Sequence, residues 1–149
     1  HQYRDALSPA ERDNAFAFNL ASLYFEKQDL ALTLETLQNV EFTDFTYHFG
    51  AKILQLKTFY LLEEDGALLL VLATTDQLLR RDKTLSPFGK TTNLNFLRML
   101  RQAIQWKQKK SILSISESKH KKRLLCAKIA GLQPLANKDW LLKVLEADL

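Results

Sequence analysis

The side chains in this sequence with chemistry to offer are few. They are His1, His48 and His120, the lone Cys126, the carboxylates Glu63, Glu64 and Asp65, and two sets of basic residues. His120 stands among Lys119, Lys121, Lys122 and Arg123, whose charge would repel a metal cation. Glu63, Glu64 and Asp65 resemble paired acid–base carboxylates but fall in an expected turn, where they serve as solvated capping groups. Ser86 and Ser114 precede helical runs and read as N-caps rather than nucleophiles. No glycine-rich phosphate loop, HExxH or CxxC is present. With no converging nucleophile, base and orienting group, neither an enzyme nor a cofactor or metal site is expected.

The basic residues are better placed for binding. Arg98, Arg101, Gln105 and Lys109 share one helix face, and Lys119, Lys121, Lys122 and Arg123 form a run around His120. Phosphates are held chiefly by charge, so Arg98, Arg101, Lys109, Lys119, Lys121, Lys122 and Arg123 make a candidate polyanion surface. Residues 1–75 carry 5 Lys+Arg against 11 Asp+Glu, a net of −6, and residues 76–149 carry 16 against 6, a net of +10. Aromatics do not interleave with these charges as single-strand binders prefer. Trp106 and Trp140 fall on apolar helix faces and read as packing residues. A solvated helix face is the plainer reading, and nucleic acid ranks second to protein as a partner class.

The elements that position these residues are helices. Apolar residues make up 46% of the 149, with only 4 Gly and 3 Pro, which favours long helices and short connections. Ser8-Pro9-Ala10-Glu11 is a capping box opening a helix over about Pro9–Lys27. Phe16, Leu20 and Leu23 on one side, and Phe18 and Phe25 on the other, make it apolar on two sides. Asp29 caps a second helix to about Asn39, with Leu30, Leu34 and Leu37 inward. Thr43 or Asp44 caps a third, to Glu63. Glu64-Asp65-Gly66 is the turn into a fourth, to Arg81. Ser86-Pro87 opens a fifth, and Ser114-Ile115-Ser116-Glu117 a sixth, stopped by Gly131 in a left-handed cap. Asn137 caps a seventh, about Lys138–Ala147. No alternating strand pattern occurs. No apolar run approaches the roughly 20 residues of a membrane span, and no membrane partner is expected. The single cysteine fits a cytoplasmic setting.

The stretch from Leu23 to Leu32 returns 36 residues later, from Phe59 to Leu68, with Tyr24 on Tyr60, Asp29 on Asp65, Ala31 on Ala67 and Leu32 on Leu68. A self-match at that period marks stacked helix hairpins. Asn19, Leu20, Ala21, Tyr24, Asp29, Thr33, Leu37 and Val40 follow the tetratricopeptide repeat, in which small residues let paired helices approach. Phe45 replaces the usual proline and Thr33 the usual alanine. The second copy departs further, with Lys57 and Leu69 at small positions. The segments Leu20–Tyr47, Ala51–Leu68, Leu78–Leu100 and Pro134–Leu142 resemble the C-terminal end of a family of Bacteroidetes proteins with such repeats.

That resemblance implies an all-α, TPR-like α-α superhelix of about seven helices, one domain over residues 1–149, forming the C-terminal part of a longer solenoid. It implies a non-catalytic scaffold for protein–protein contacts, with a protein segment or its own upstream repeats as partner. By the same pattern the partner surface comprises Phe18, Ser22, Phe25, Glu26 and Thr58. Because the first helix is apolar on two sides, a homodimer through it is a further expectation.

Overall fold

The computed structural model describes residues 8–40 and 44–148. Every regular element among them is a helix: α1 (Pro9–Glu26), α2 (Leu30–Leu37), α3 (Phe45–Leu62), α4 (Asp65–Arg81), α5 (Pro87–Lys109), α6 (Ile115–Gly131) and α7 (Lys138–Ala147). The chain divides into two compact units, His1–Leu78 and Leu79–Leu149, with the boundary inside α4.

Local chemistry sets the helix starts. The Ser8 hydroxyl accepts from the Glu11 amide at 3.1 Å, and the Glu11 carboxylate accepts from the Ser8 amide at 3.0 Å. Asp29, Asp44, Ser86 and Ser114 each accept a backbone N–H in the first turn of the helix they open. Thr43, the other candidate cap for α3, lies outside the described residues. Asn137 occupies the N-cap position of α7 in a left-handed conformation, φ 57°, and its side chain makes no cap bond.

The helix ends differ from expectation. No glycine adopts a positive φ among the described residues. Gly131 is the last residue of α6, and the chain leaves through Leu132 in an extended conformation. The left-handed corners fall instead on Gln28, φ 61°, and Glu63, φ 58°. At the first, the Asp29 amide donates to the Tyr24 carbonyl and Gln28 to Phe25; at the second, Glu64 donates to Phe59 and Glu63 to Tyr60. Both are the double-bonded helix terminus in which glycine is usual. The corners recur at a spacing of 35 residues by these bonds, one less than the sequence self-match. The expected Glu64-Asp65-Gly66 turn is correspondingly shorter: α4 starts at Asp65 and takes in Gly66.

In the first unit α1, α2 and α3 pack on one another. The seam is lined by Asn14, Ala17 and Ala21 of α1 and by Thr33, Thr36 and Leu37 of α2. Small side chains at the crossing bring the two backbones close, as expected for Ala21 and Thr33. Leu30 and Leu34 are only half-buried, so Leu37 alone of the three expected leucines is fully inward. Val40, Ala51 and Leu54 complete this core, with Phe25 and Tyr47 against it.

The second unit packs α5 on α6 and α7, and α6 on α7. Its core is built of large residues: Phe96, Leu97, Met99, Leu100, Ile104 and Trp106 from α5, Leu125 and Ile129 from α6, Leu141 and Leu145 from α7. Asn95 donates to the Pro134 carbonyl at 2.9 Å, and the Ala136 amide to the Thr92 carbonyl at 3.2 Å, fixing the connection before α7 to α5.

Candidate functional site

The first unit leaves large apolar side chains outside. Because Asn14, Ala17 and Ala21 take the inner stripe of α1, Phe16 and Leu23 are turned outward, 70% and 48% exposed. Beside Phe16 lies a cleft of about 340 Å³ between α1 and α2. Asp13, Phe16 and Leu20 form one wall, Thr36 and Asn39 the other, with the buried Asn14 and Ala17 at its base. Phe16 and Leu20 thus border a slot that also carries the polar Asp13, Thr36 and Asn39.

The expected partner residues are distributed differently. Phe18 is half-buried, its ring 6.0 Å from that of Tyr47. It lies across Gly50, where an added Cβ would come within 2.8 Å of the ring. Ser22 is spent on its own helix, donating to the Phe18 carbonyl at 2.9 Å. Phe25 is half-buried against the core, and Glu26 is exposed. Thr58 is not a surface residue: it is fully buried and donates to the Leu54 carbonyl at 2.7 Å. The two apolar sides of α1 therefore exchange roles. The Phe18 and Phe25 side is covered within the chain, and the Phe16 and Leu23 side, expected to face the next helices, is open. Sequence reasoning missed the open side because it counted apolar bulk. Bulk does not reveal that a stripe of small residues seals the seam.

Two cations of α3 sit in partly apolar surroundings. Burial pushes the pKa of Lys57 down, partly offset by the Glu26 carboxylate, and burial also lowers that of Lys52. Lys52 donates to the Thr74 hydroxyl at 3.4 Å. His48 is held below its usual pKa by burial first and by Lys52 second, which favours a neutral ring. Among the described residues no group of three or more His, Cys, Asp or Glu side chains is arranged to hold a metal ion.

In the second unit Arg98, Arg101, Lys109, Lys119, Lys121 and Arg123 are exposed. Lys122 departs from that set. It is half-buried and donates to the Asp148 carbonyl oxygen at 2.7 Å, its ammonium 5.7 Å from the Trp106 ring centre. Lys110 donates to the Asp148 carboxylate, and Lys107 lies 3.7 Å from the other carboxylate oxygen. The three lysines converge on Asp148, and the Lys110 and Lys122 ammonium groups lie over the Trp106 ring. That indole is buried and donates to the Ser118 carbonyl at 2.9 Å. Trp140 packs edge-on against Phe96 at 6.4 Å. Both tryptophans thus pack as expected. Burial, and then the Glu146 carboxylate, raise the Cys126 thiol above its ordinary pKa, which disfavours the reactive thiolate. Comparison of the chain with protein-family models, with curated proteins and with solved structures finds no match.

Proposed function

We propose that the chain is a non-catalytic, TPR-like helical-repeat scaffold working in the cytoplasm, and that it takes up a protein segment on α1 and α2. The observation that carries this reading is the outward pair Phe16 and Leu23 on α1, the first of which lines the α1–α2 cleft. Two apolar anchors two turns apart on one stripe of α1, with a slot between helices beside the first, suit an amphipathic helix laid along the groove. The two matching corners at Gln28 and Glu63 support a repeated hairpin. The net −6 of residues 1–75 favours a partner with basic flanks. A second copy of the chain fits the same face.

The test is copurification and sizing of the wild type and of a Phe16→Ser/Leu23→Ser variant. A helical partner, or a dimer, that survives high salt with the wild type and is lost with the variant supports the reading. Equal retention by a normally folded variant refutes it.

A second reading is polyanion binding through the basic half. Its support is the exposure of Arg98, Arg101, Lys109, Lys119, Lys121 and Arg123, none of which forms an ion pair among the described residues. Heparin affinity that falls steeply with salt is the expected outcome.

A further inference from the structure

The α5–α6 hairpin ends in two isoleucines left open to solvent among the described residues. Ile112, in the connection, is 81% exposed, and Ile115, the first residue of α6, is 76% exposed. They are the two most exposed large apolar side chains among the described residues. Their surroundings are basic: residues 109–128 hold seven Lys and Arg against the single acidic Glu117.

Those cations are not equivalent. Lys110 and Lys122 are engaged by Asp148, as described above. Lys109, Lys119 and Arg123 are exposed without an ion pair among the described residues. Lys109 ends α5 beside the tip, its carbonyl accepting from the Ile112 amide at 3.0 Å. Ile115, Lys119 and Arg123 follow one another at four-residue intervals along one side of α6. Lys119 and Arg123 lie about 6 and 12 Å behind Ile115 along the axis. Side chains on a helix lean toward its N-terminus, which here is the tip. Long flexible cations set back from a protruding apolar point is the arrangement that anionic bilayers bind, with apolar groups entering the acyl boundary and ammonium groups meeting the headgroups.

We propose that the α5–α6 tip docks on an anionic lipid surface, Ile112 and Ile115 inserting while Lys109, Lys119 and Arg123 contact the headgroups. This rests on the polyanion reading and names its partner class. A nucleic acid would use the same cations but has no use for two exposed aliphatic side chains. The nearby aromatic, Trp106, is buried under Lys110 and Lys122 and offers no stacking face. The expectation of no membrane partner followed from the missing span. No helix among the described residues is long and apolar enough to cross a membrane, and surface docking requires none.

The experiment is sedimentation of the chain with phosphatidylcholine vesicles, with and without about a third phosphatidylserine. In parallel, binding to heparin and to a single-stranded RNA oligomer is measured. Of the two vesicle types, only the anionic one is expected to bind, with an affinity that weakens with salt. Ile112→Ser/Ile115→Ser should lower vesicle affinity by about tenfold or more while leaving heparin binding unchanged. Lys119→Gln and Arg123→Gln should each lower it by about fivefold. Arg98→Gln, about 17 Å from the end of α5, should leave it unchanged. Failure to bind anionic vesicles, or equal binding by a folded Ile112→Ser/Ile115→Ser variant, overturns the proposal. In that case retained heparin or RNA affinity leaves the polyanion reading standing, and loss of all three removes both.

Discussion

The two units solve the same packing problem in opposite ways. In the first, the positions of closest helix approach hold Asn14, Ala17, Ala21, Thr33 and Thr36, and the bulky Phe16 and Leu23 are left outside. In the second, Phe96, Met99, Leu100, Ile104 and Trp106 are all enclosed, and Arg98, Arg101, Lys109, Lys119, Lys121 and Arg123 lie outside. Close approach through small residues leaves no room for large side chains at that seam, so Phe16 and Leu23 of the same helix are turned outward. The second unit encloses the large residues of its core but leaves Phe88, Ile112, Ile115 and Leu124 outside. Apolar content alone does not say where a protein is sticky; the size of the residues at the seams does.

The strongest test sets two phenylalanines against each other. Phe96→Ala should destabilise the chain by about 3–5 kcal/mol, because Phe96 is wholly enclosed. Phe16→Ala should change stability by no more than about 0.5 kcal/mol. Denaturant midpoints measure both, and similar losses for the two would break the contrast. Next in size, Ala21→Leu inserts bulk where α1 meets α2 and should cost about 1–3 kcal/mol. An unchanged midpoint would show that the seam is looser than described.

The α3 lysine sharpens the comparison from the side of charge. The folded pKa of Lys57 is lowered, so at alkaline pH the unfolded chain binds more protons and stability rises with pH. Lys57→Met should therefore stabilise slightly at neutral pH, by well under about 1 kcal/mol because solvent screens the partly exposed ammonium. That gain should shrink as pH climbs toward the ordinary lysine value of 10.5. A gain constant with pH would place its origin in packing instead. The smallest effect concerns the first corner. Gln28 holds a left-handed conformation that costs a side chain about 1 kcal/mol, so Gln28→Gly should raise the midpoint slightly. A lower midpoint would mean that the corner is held by the glutamine side chain.

Much of the fold was legible because it is written in local chemistry. Ser8 with Glu11, Asp29, Asp44, Ser86 with Pro87, and Ser114 announce helix starts through hydrogen bonds made within three residues, and each begins its helix as expected. Arg98, Arg101, Lys109, Lys119, Lys121 and Arg123 were legible as surface because ionised groups without partners stay in water.

Helix ends and partner surfaces were less legible, since both depend on residues distant along the chain. Glycine favours a left-handed cap but does not compel one, so Gly131 stays helical while Gln28 and Glu63 turn the corners. Thr58 reads as groove-lining until its neighbours enclose it. Lys122 reads as one of a solvated run until the Asp148 carbonyl, 26 residues on, accepts a hydrogen bond from its ammonium. The sequence by itself determined helical content, helix starts and the separation of negative from positive charge, because those follow from residue type and short-range bonding. Only the tertiary structure decided which side of α1 is open, which cations are free and that two isoleucines crown a basic hairpin, because exposure is a property of what packs against a residue.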